Sequence, residues 1–212
     1  MFSMLISSYG TSLEIFALTL LGAIPLGVVI VLGRLSKFKP LSLLMQLVIS
    51  VMRGTPLMLQ MFAVFFVPYY VFGIRTDSDY MFTAVIIAFI VNYAAYFAEI
   101  YRSGIQSMPQ GQYEASQVLG YSHGQTFFRI ILPQVVKRIL PAMGNEVITL
   151  VKDTSLAFSI GIVEMFTQSR ALVASQRSMI PFAMAAAIYW VTCLLIEFAL
   201  RMAEKKLDYY HD

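Results

Sequence analysis

The sequence predicts an all-α integral membrane protein, a single domain over residues 1–212 with five transmembrane helices. Of the 212 residues, 58% are hydrophobic and 13% are charged, and the mean hydropathy is +0.73, a composition outside the range of soluble domains. A helix needs about 20 apolar residues to cross a bilayer, and lipid offers unpaired backbone groups no partners. Five runs meet this need, namely residues 12–33, 55–73, 81–101, 146–164 and 180–200.

The distribution of Lys and Arg predicts an external N-terminus and a cytoplasmic C-terminus, because basic residues concentrate in cytoplasmic segments. Residues 34–53, 102–145 and the tail from 201 onward carry most of the basic side chains. Arg170 and Arg177 in the last outer segment oppose this orientation, but three inner segments favour it. The net charge of +3 is therefore explained by membrane topology, and no nucleic-acid partner is predicted.

An apolar stretch, residues 41–52, is too short to span a membrane and runs into Arg53, Gly54, Thr55 and Pro56. Proline disfavours helical backbone in the residue before it. The sequence therefore predicts an interfacial helix, a bend, and then the second span. A membrane-entry elbow in which Arg53 reaches the interface explains this pattern without any substrate.

The third predicted span carries a polar stripe. Asn92, Tyr96 and Glu99 are spaced i, i+4 and i+7, so they share one helical face that cannot face lipid cheaply. These three residues are candidates for contact with a solute. Two structural alternatives remain: an interfacial ion pair of Glu99 with Arg102, and helix-to-helix hydrogen bonding by Asn92.

The fourth predicted span places Lys152, Asp153, Thr154 and Ser155 near its middle. Charges at that depth cost roughly 2.5–3.5 kcal/mol each and mark functional candidates. A break in the helix there would offer backbone groups and hydroxyls to a polar solute, whereas burial by neighbouring subunits would give the same residues a structural role. Counted from the helix ends, Asn92 and Asp153 fall at similar depth, so one solute could meet both.

Several chemistries have no motif in the chain. There is no phosphate-binding loop of the form G-x-x-x-x-G-K-[ST] and no G-x-S-x-G nucleophile motif. His123, His211 and Cys193 lie too far apart in sequence to form a recognisable metal motif. The sequence therefore predicts neither an enzyme nor a bound metal or cofactor.

The one long polar interruption in the second half, residues 114–133, carries a spaced pattern. Glu114, Ala115 and Ser116 are followed after three residues by Gly120, and after nine more by I-x-L-P ending at Pro133. A short helix of small residues that ends at glycine lets another protein approach closely. An ordinary surface hairpin is the alternative.

This pattern resembles the signature cytoplasmic loop of ABC importer permeases, E-A-A-x3-G-x9-I-x-L-P, with Ser116 in place of the third alanine. Three further stretches resemble the polar amino-acid branch, the histidine, arginine and glutamine type. They are R-G-T-P (residues 53–56) followed by Leu57 and Gln60, N-x-x-A-Y-x-A-E (92–99) and K-D-T-S-L (152–156).

The resemblance implies a type I ABC importer permease fold in the bacterial inner membrane and a function in amino-acid uptake by alternating access. The implied partners are two ATP-binding subunits that hold ATP and Mg, a second permease in a homodimer or heterodimer, and an extracytoplasmic amino-acid-binding protein. A permease for another polar solute, or a non-transporting membrane scaffold or channel, remains the alternative function.

The resemblance also implies roles for individual residues. The cytoplasmic loop at about 103–145 would couple to the ATPase through Glu114, Ala115, Ser116 and Gly120. An excess of acidic groups among the substrate candidates leans toward a basic amino acid. The candidates for substrate binding are Asn92, Tyr96, Glu99, Asp153, Thr154, Ser155 and Gln60.

Overall fold

The computed structural model describes residues 1–207, so His211, which the sequence analysis named, lies outside the described residues. No strand occurs in this part of the chain. Nine α-helices are described, with a π-helical turn, Thr126–Ile131, before the seventh and a 3₁₀ segment, Thr154–Ile160, after it. The helices are α1 Phe2–Arg34, α2 Lys39–Gly54, α3 Leu57–Phe72, α4 Ser78–Gln106, α5 Gln110–Val118, α6 His123–Gln125, α7 Leu132–Asp153, α8 Met165–Gln176 and α9 Ile180–Leu207.

Helix α4 forms the centre of the bundle and packs along α1. Its buried face consists of small and aromatic residues, including Ala88, Phe89 and Phe97. The two helices approach closely at Gly27, where a Cβ atom would lie 3.0 Å from the Cβ of Phe97. A side chain at that position would push the helices apart, which explains the glycine in the middle of α1.

The predicted bend before the second span is confirmed. The chain bends by 110° between α2 and α3. The break falls at Thr55 and Pro56, and the backbone of Thr55 is extended. Proline removes a helical hydrogen bond and restricts the residue before it, so the chain turns where the sequence places it.

Three of the predicted spans fall on helices long and apolar enough to cross a membrane: α1, α4 and α9. The bent pair of α2 and α3 qualifies together as a fourth. The run 146–164 does not form one helix, which differs from the prediction. Helix α7 begins at Leu132, ends at Asp153 and continues as the 3₁₀ segment to a left-handed Gly161.

The region 103–145 is mostly helical rather than an open loop. It contains α5, α6, the π-helical turn and the first half of α7. A small core of Met108, Ile131 and Val135 holds this region together and is separate from the main core. The motif of residues 114–133 is thus carried on a folded unit joined directly to α7.

Candidate substrate pathway and coupling surface

A central cavity of about 390 Å³ opens between the start of α3, the middle of α4 and the second half of α7. It brings together three of the residues proposed from sequence, Asn92, Tyr96 and Asp153. Asn92 and Asp153, which the sequence places at similar depth, therefore border the same cavity. The remaining lining residues are Thr55, Pro56, Leu57, Tyr93, Glu146, Thr149 and Leu156.

Asp153 is held by a tyrosine that the sequence analysis did not single out. The hydroxyl of Tyr93, a residue only 2% exposed, donates a hydrogen bond of 2.7 Å to Oδ2 of Asp153. The neighbouring Lys152 is exposed on another face of α7. Tyr93 engages one carboxylate oxygen of Asp153, and a carboxylate has a second oxygen that can accept hydrogen bonds.

Glu146 is a second carboxylate on the cavity wall, and the sequence analysis missed it. It lies seven residues before Asp153, so both project from one face of α7, with Thr149 between them. The signal was available, because Glu146, Thr149 and Asp153 are spaced i, i+3 and i+7, which puts three polar residues on one helical face.

Asn92 and Gln60 are engaged in holding the bend between α2 and α3. Nδ2 of Asn92 donates to the carbonyl of Met52 at 3.1 Å and to Oε1 of Gln60 at 3.0 Å. Nε2 of Gln60 donates in turn to the Met52 carbonyl at 2.9 Å and to the hydroxyl of Thr55 at 2.8 Å. The two amides therefore satisfy backbone groups that the break at Pro56 leaves unpaired.

Thr154 and Ser155 bond to their own helix end. The Thr154 hydroxyl donates to the Val151 carbonyl and the Ser155 hydroxyl to the Lys152 carbonyl, both at 2.8 Å. Thr154 is 1% exposed, and neither side chain lines the central cavity. These hydroxyls support the change from α to 3₁₀ helix directly behind Asp153.

A second space of about 380 Å³ adjoins the central cavity and shares Tyr96 and Glu146 with it. We call it the arginine-lined cavity because Arg53, Arg102 and Arg138 contribute to its wall. Glu99 lies here and pairs with Arg102 through both carboxylate oxygens, at 2.9 and 2.5 Å. The ion pair that the sequence analysis weighed for Glu99 is therefore present.

Helix α5 carries the motif residues and leaves most of its surface open. Glu114 and Ala115 are exposed, and the adjoining Val118 and Leu119 are 88% and 74% exposed. Gly120 has a positive φ of 78° with nothing within 4 Å of a built Cβ, so glycine is required by the turn and not by crowding. Large exposed apolar side chains beside a charged residue are typical of a protein-binding surface.

Ser116 faces inward, unlike Glu114, Ala115 and Gly120, which are exposed. It is 1% exposed, and its hydroxyl lies 2.9 Å from that of Thr126 in the π-helical turn. The serine that departs from the motif thus has a buried partner. A pair of hydrogen bonds also joins α5 to α7: the side-chain amides of Gln112 and Gln134 each donate to the other at 2.9 Å.

A bundle of apolar helices with a polar cavity inside and an exposed short helix at one end is the architecture of a membrane transport subunit. The chain belongs to the family described as binding-protein-dependent transport system inner membrane component, whose model matches residues 23–209. It is a helical permease subunit of an ABC importer, located in the inner membrane, and ATP is hydrolysed in separate subunits.

Two relatives are designated as amino-acid permeases. The L-cystine transport system permease protein TcyB of Bacillus subtilis (strain 168) is 37% identical over 187 residues, which cover 87% of this chain and 78% of the relative. The arginine transport system permease protein ArtQ of the same organism is 34% identical over 197 residues, covering 92% of this chain and 89% of the relative.

Solved structures show the same fold. An amino acid ABC transporter crystallised with histidines superimposes with a TM-score of 0.87 at 33% identity, covering 96% of this chain and 94% of that one. The MetNI methionine ABC transporter superimposes with a TM-score of 0.72 at 16% identity, covering 96% of this chain and 94% of that one. Permeases of this family work with ATPase subunits, a second permease and a substrate-binding protein. The family match and the relatives confirm the resemblance to amino-acid ABC permeases that the motifs indicated.

Proposed function

We propose that the central cavity carries the transported solute and that this solute is a polar amino acid. The observation that supports this most directly is the cavity itself, about 390 Å³ in volume and bordered by the carboxylates of Glu146 and Asp153. Ligand cavities in proteins begin at about 300 Å³, so one amino acid fits. Two relatives are designated as cystine and arginine permeases, and these designations favour an amino acid as the solute.

The charges on the wall favour a solute with a cationic group. Glu146 and Asp153 lie on one face of α7, and Asn92 and Tyr96 lie across from them on α4. Carboxylates bind ammonium or guanidinium groups through charge-assisted hydrogen bonds, so a basic amino acid is favoured. In this proposal Asn92, Tyr96, Glu146 and Asp153 face the solute.

The remaining candidates act around the cavity. Gln60 holds the bend that forms its α3 wall, and Thr154 with Ser155 holds the helix end beside Asp153. Glu99 borders the adjoining arginine-lined cavity, on the route that a solute would take on leaving.

Alternating access would be driven through α5. The exposed surface of α5 and of the turn after it consists of Glu114, Ala115, Val118, Leu119 and Gly120. This surface would dock on an ATPase subunit, with Ser116 fixing α5 from within. The Gln112–Gln134 amide pair links α5 to α7, and α7 carries Glu146 and Asp153 at its other end. Movement of the docked helix would therefore reach the cavity wall without passing through a flexible loop.

We further propose one domain over residues 1–212 with five crossings, an external N-terminus and a cytoplasmic C-terminus. The fourth crossing would combine the second half of α7 with the 3₁₀ segment that follows it. This arrangement places α5 on the ATP side and α8 outside, where the binding protein docks. The chain itself would need no cofactor, because ATP and Mg would bind to its partners.

Copurification with an ATPase subunit tests this function. We expect the unmodified chain to bring down an ATPase whose activity rises when a binding protein is loaded with L-arginine, L-glutamine or L-cystine. Glu114→Ala combined with Gly120→Val should abolish the association, whereas Asp79→Ala, on an exposed acid at the start of α4, should leave it intact. Association that survives the double variant contradicts the docking role, and stimulation confined to solutes other than amino acids supports the alternative substrate class.

A further inference from the structure

A groove of about 670 Å³ lies between α7 and the last turns of α9. The two helices are closest at Gly144, where a Cβ atom would lie 3.0 Å from Cδ1 of Leu200. The groove lies beyond this contact, toward the start of α7 and the end of α9, and Lys137 and Lys205 both border it. It shares no lining residue with the central or the arginine-lined cavity, so it is a separate site.

One part of the groove wall is apolar. Leu140 and Pro141 contribute apolar surface from α7, and Phe198 and Met202 contribute it from α9. Both α9 side chains are exposed. The apolar part of the groove therefore continues onto the outer surface of α9.

The other part of the wall is basic. The charged residues that border the groove are Lys137, Arg201, Lys205 and Glu204, three of which are basic. Arg201 donates to Glu197 at 2.6 Å through one nitrogen, and its side chain is 70% exposed. Lys205 is exposed as well. Because a guanidinium has five N–H donors and an ammonium has three, these two side chains can bind an anion in the groove.

An apolar row on α9 leads into the groove. Trp190, Leu194, Phe198 and Met202 follow one another at intervals of four residues, which makes an inclined row on the helix surface. All four are exposed, and only 6% of the most apolar stretch of α9 is buried. At 1.5 Å per residue the row is about 18 Å long, close to half of a hydrocarbon core of about 30 Å. The row thus has the length of one lipid leaflet.

We propose that the groove binds an anionic phospholipid. Its phosphate contacts Arg201 and Lys205, and an acyl chain lies along the row from Met202 to Trp190. Basic pockets between membrane-spanning helices bind anionic headgroups on the cytoplasmic side, and in the proposed topology this end of α9 is cytoplasmic.

The two parts of the wall favour a lipid over other occupants. A free phosphate would contact the basic part and leave the apolar row uncovered. A second copy of this chain, packed through the same face about a two-fold axis, would bring two basic grooves together. A phospholipid satisfies both parts, because it joins a negative charge to an apolar chain.

A lipid titration tests the proposal on the permease purified with its ATPase subunits and stripped of copurified lipid. Native mass spectrometry measures the affinities for phosphatidylglycerol and for phosphatidylcholine with the same acyl chains. We expect phosphatidylglycerol to bind about tenfold more tightly, because each basic residue near an anionic headgroup strengthens binding several-fold. An excess of inorganic phosphate should not displace the lipid.

Substitutions at the end of α9 locate the basic part. Lys205→Gln should reduce the preference for phosphatidylglycerol several-fold, Lys205→Arg should keep it, and Arg201→Gln combined with Lys205→Gln should remove it. Lys206→Gln is the matched control, since Lys206 is an exposed lysine on the same helix that does not line the groove.

Substitutions along α9 locate the apolar part. Phe198→Ala should weaken the binding of both lipids alike, because it removes apolar contact and no charge. Leu195→Ala is the control, because Leu195 is as exposed as Phe198, 65% against 64%, and lies outside the row.

Four results would overturn the proposal. They are equal affinity for the two lipids in the unmodified complex, an equal loss of preference in Lys205→Gln and Lys206→Gln, displacement by inorganic phosphate, and a preference found in the isolated permease but absent from the complex. Displacement by phosphate would identify a soluble anion as the occupant, and loss of the preference in the complex would show that a partner subunit covers the groove.

Discussion

Among the residues that line the cavity, Asp153 gives the clearest test of the proposed binding of a cationic solute. Asp153→Asn keeps an oxygen that can accept the 2.7 Å hydrogen bond from Tyr93 but removes the charge. We expect binding of a basic amino acid to weaken about tenfold or more, because a charge-assisted contact becomes a neutral one, while the complex still assembles. Binding calorimetry on the purified complex measures this, with Asp79→Asn as a control. Equal affinity for every solute would remove Asp153 from the site.

Ser116 and Thr126 offer a second prediction at this scale. Ser116→Ala restores the alanine of the motif but leaves the Thr126 hydroxyl, in a residue 4% exposed, without the partner 2.9 Å away. An unpaired buried hydroxyl costs about 1–3 kcal/mol, so the thermal midpoint of the complex should fall.

The double variant Ser116→Ala, Thr126→Val removes both hydroxyls and should recover most of that loss. A midpoint as low in the double variant as in the single one would show that the hydroxyl pair is not the source of the effect.

Residue spacing predicted the site only in part. The depth of Asn92 and Asp153 placed them on one cavity, because regular helices preserve depth. Tyr93 could not be found this way, since it lies outside the i, i+4, i+7 stripe and reaches Asp153 through the length of its side chain. The bonds of Asn92 and Gln60 to the bend depend on how α2 folds back, which no pattern within one helix encodes.

At the scale of elements, the bend at Pro56 was predictable and the course of α7 was not. Proline acts on its own residue and the one before it, so its effect is local. Helix α7 runs from the predicted loop 103–145 into the predicted span 146–164, because Lys137 and Arg138 in its first half were assigned to a cytoplasmic segment. Pro133 did not end the helix because it stands in the first turn, where no intrahelical donor is lost.

Glu164 carries a prediction for α8. It is fully buried and caps that helix, accepting hydrogen bonds of 2.7 Å from the amides of Phe166 and Thr167. The hydroxyl of Tyr189 on α9 also donates to it, at 3.3 Å. Glu164→Ala removes the cap, an effect of about 0.5–2 kcal/mol on a helix.

Hydrogen exchange should therefore speed up in the first turn of α8 and remain unchanged in α4. Gln176→Ala, at the exposed end of the same helix, is the control. Equal protection of the Phe166 and Thr167 amides in the Glu164 variant would show that the cap does not fix the helix.

At the scale of the whole molecule, the orientation of the bundle decides which face meets ATP. Two exposed positions report it: Ser78 at the start of α4 and Gln110 at the start of α5. In a Cys193→Ser background, a membrane-impermeant maleimide added to intact cells should label Ser78→Cys and should label Gln110→Cys only after permeabilisation. The reverse pattern would contradict the proposed topology.

The family followed from four short motifs, at residues 53–56, 92–99, 114–133 and 152–156. The fold of the permease followed with it. The sequence could not show that the region 103–145 is a folded unit continuous with α7. In the proposed mechanism this continuity carries displacement from α5 to the central cavity, since a helix transmits displacement better than a loop does.

Uptake into proteoliposomes tests the central claim most directly. The permease, its ATPase subunits and its binding protein are reconstituted, and a radiolabelled amino acid is supplied on the side of the binding protein. We predict accumulation that requires ATP on the opposite side and is lost in the Glu114→Ala, Gly120→Val double variant. The absence of ATP-dependent uptake for L-arginine, L-glutamine and L-cystine alike, in a complex that still hydrolyses ATP, would contradict the assignment as an amino-acid importer.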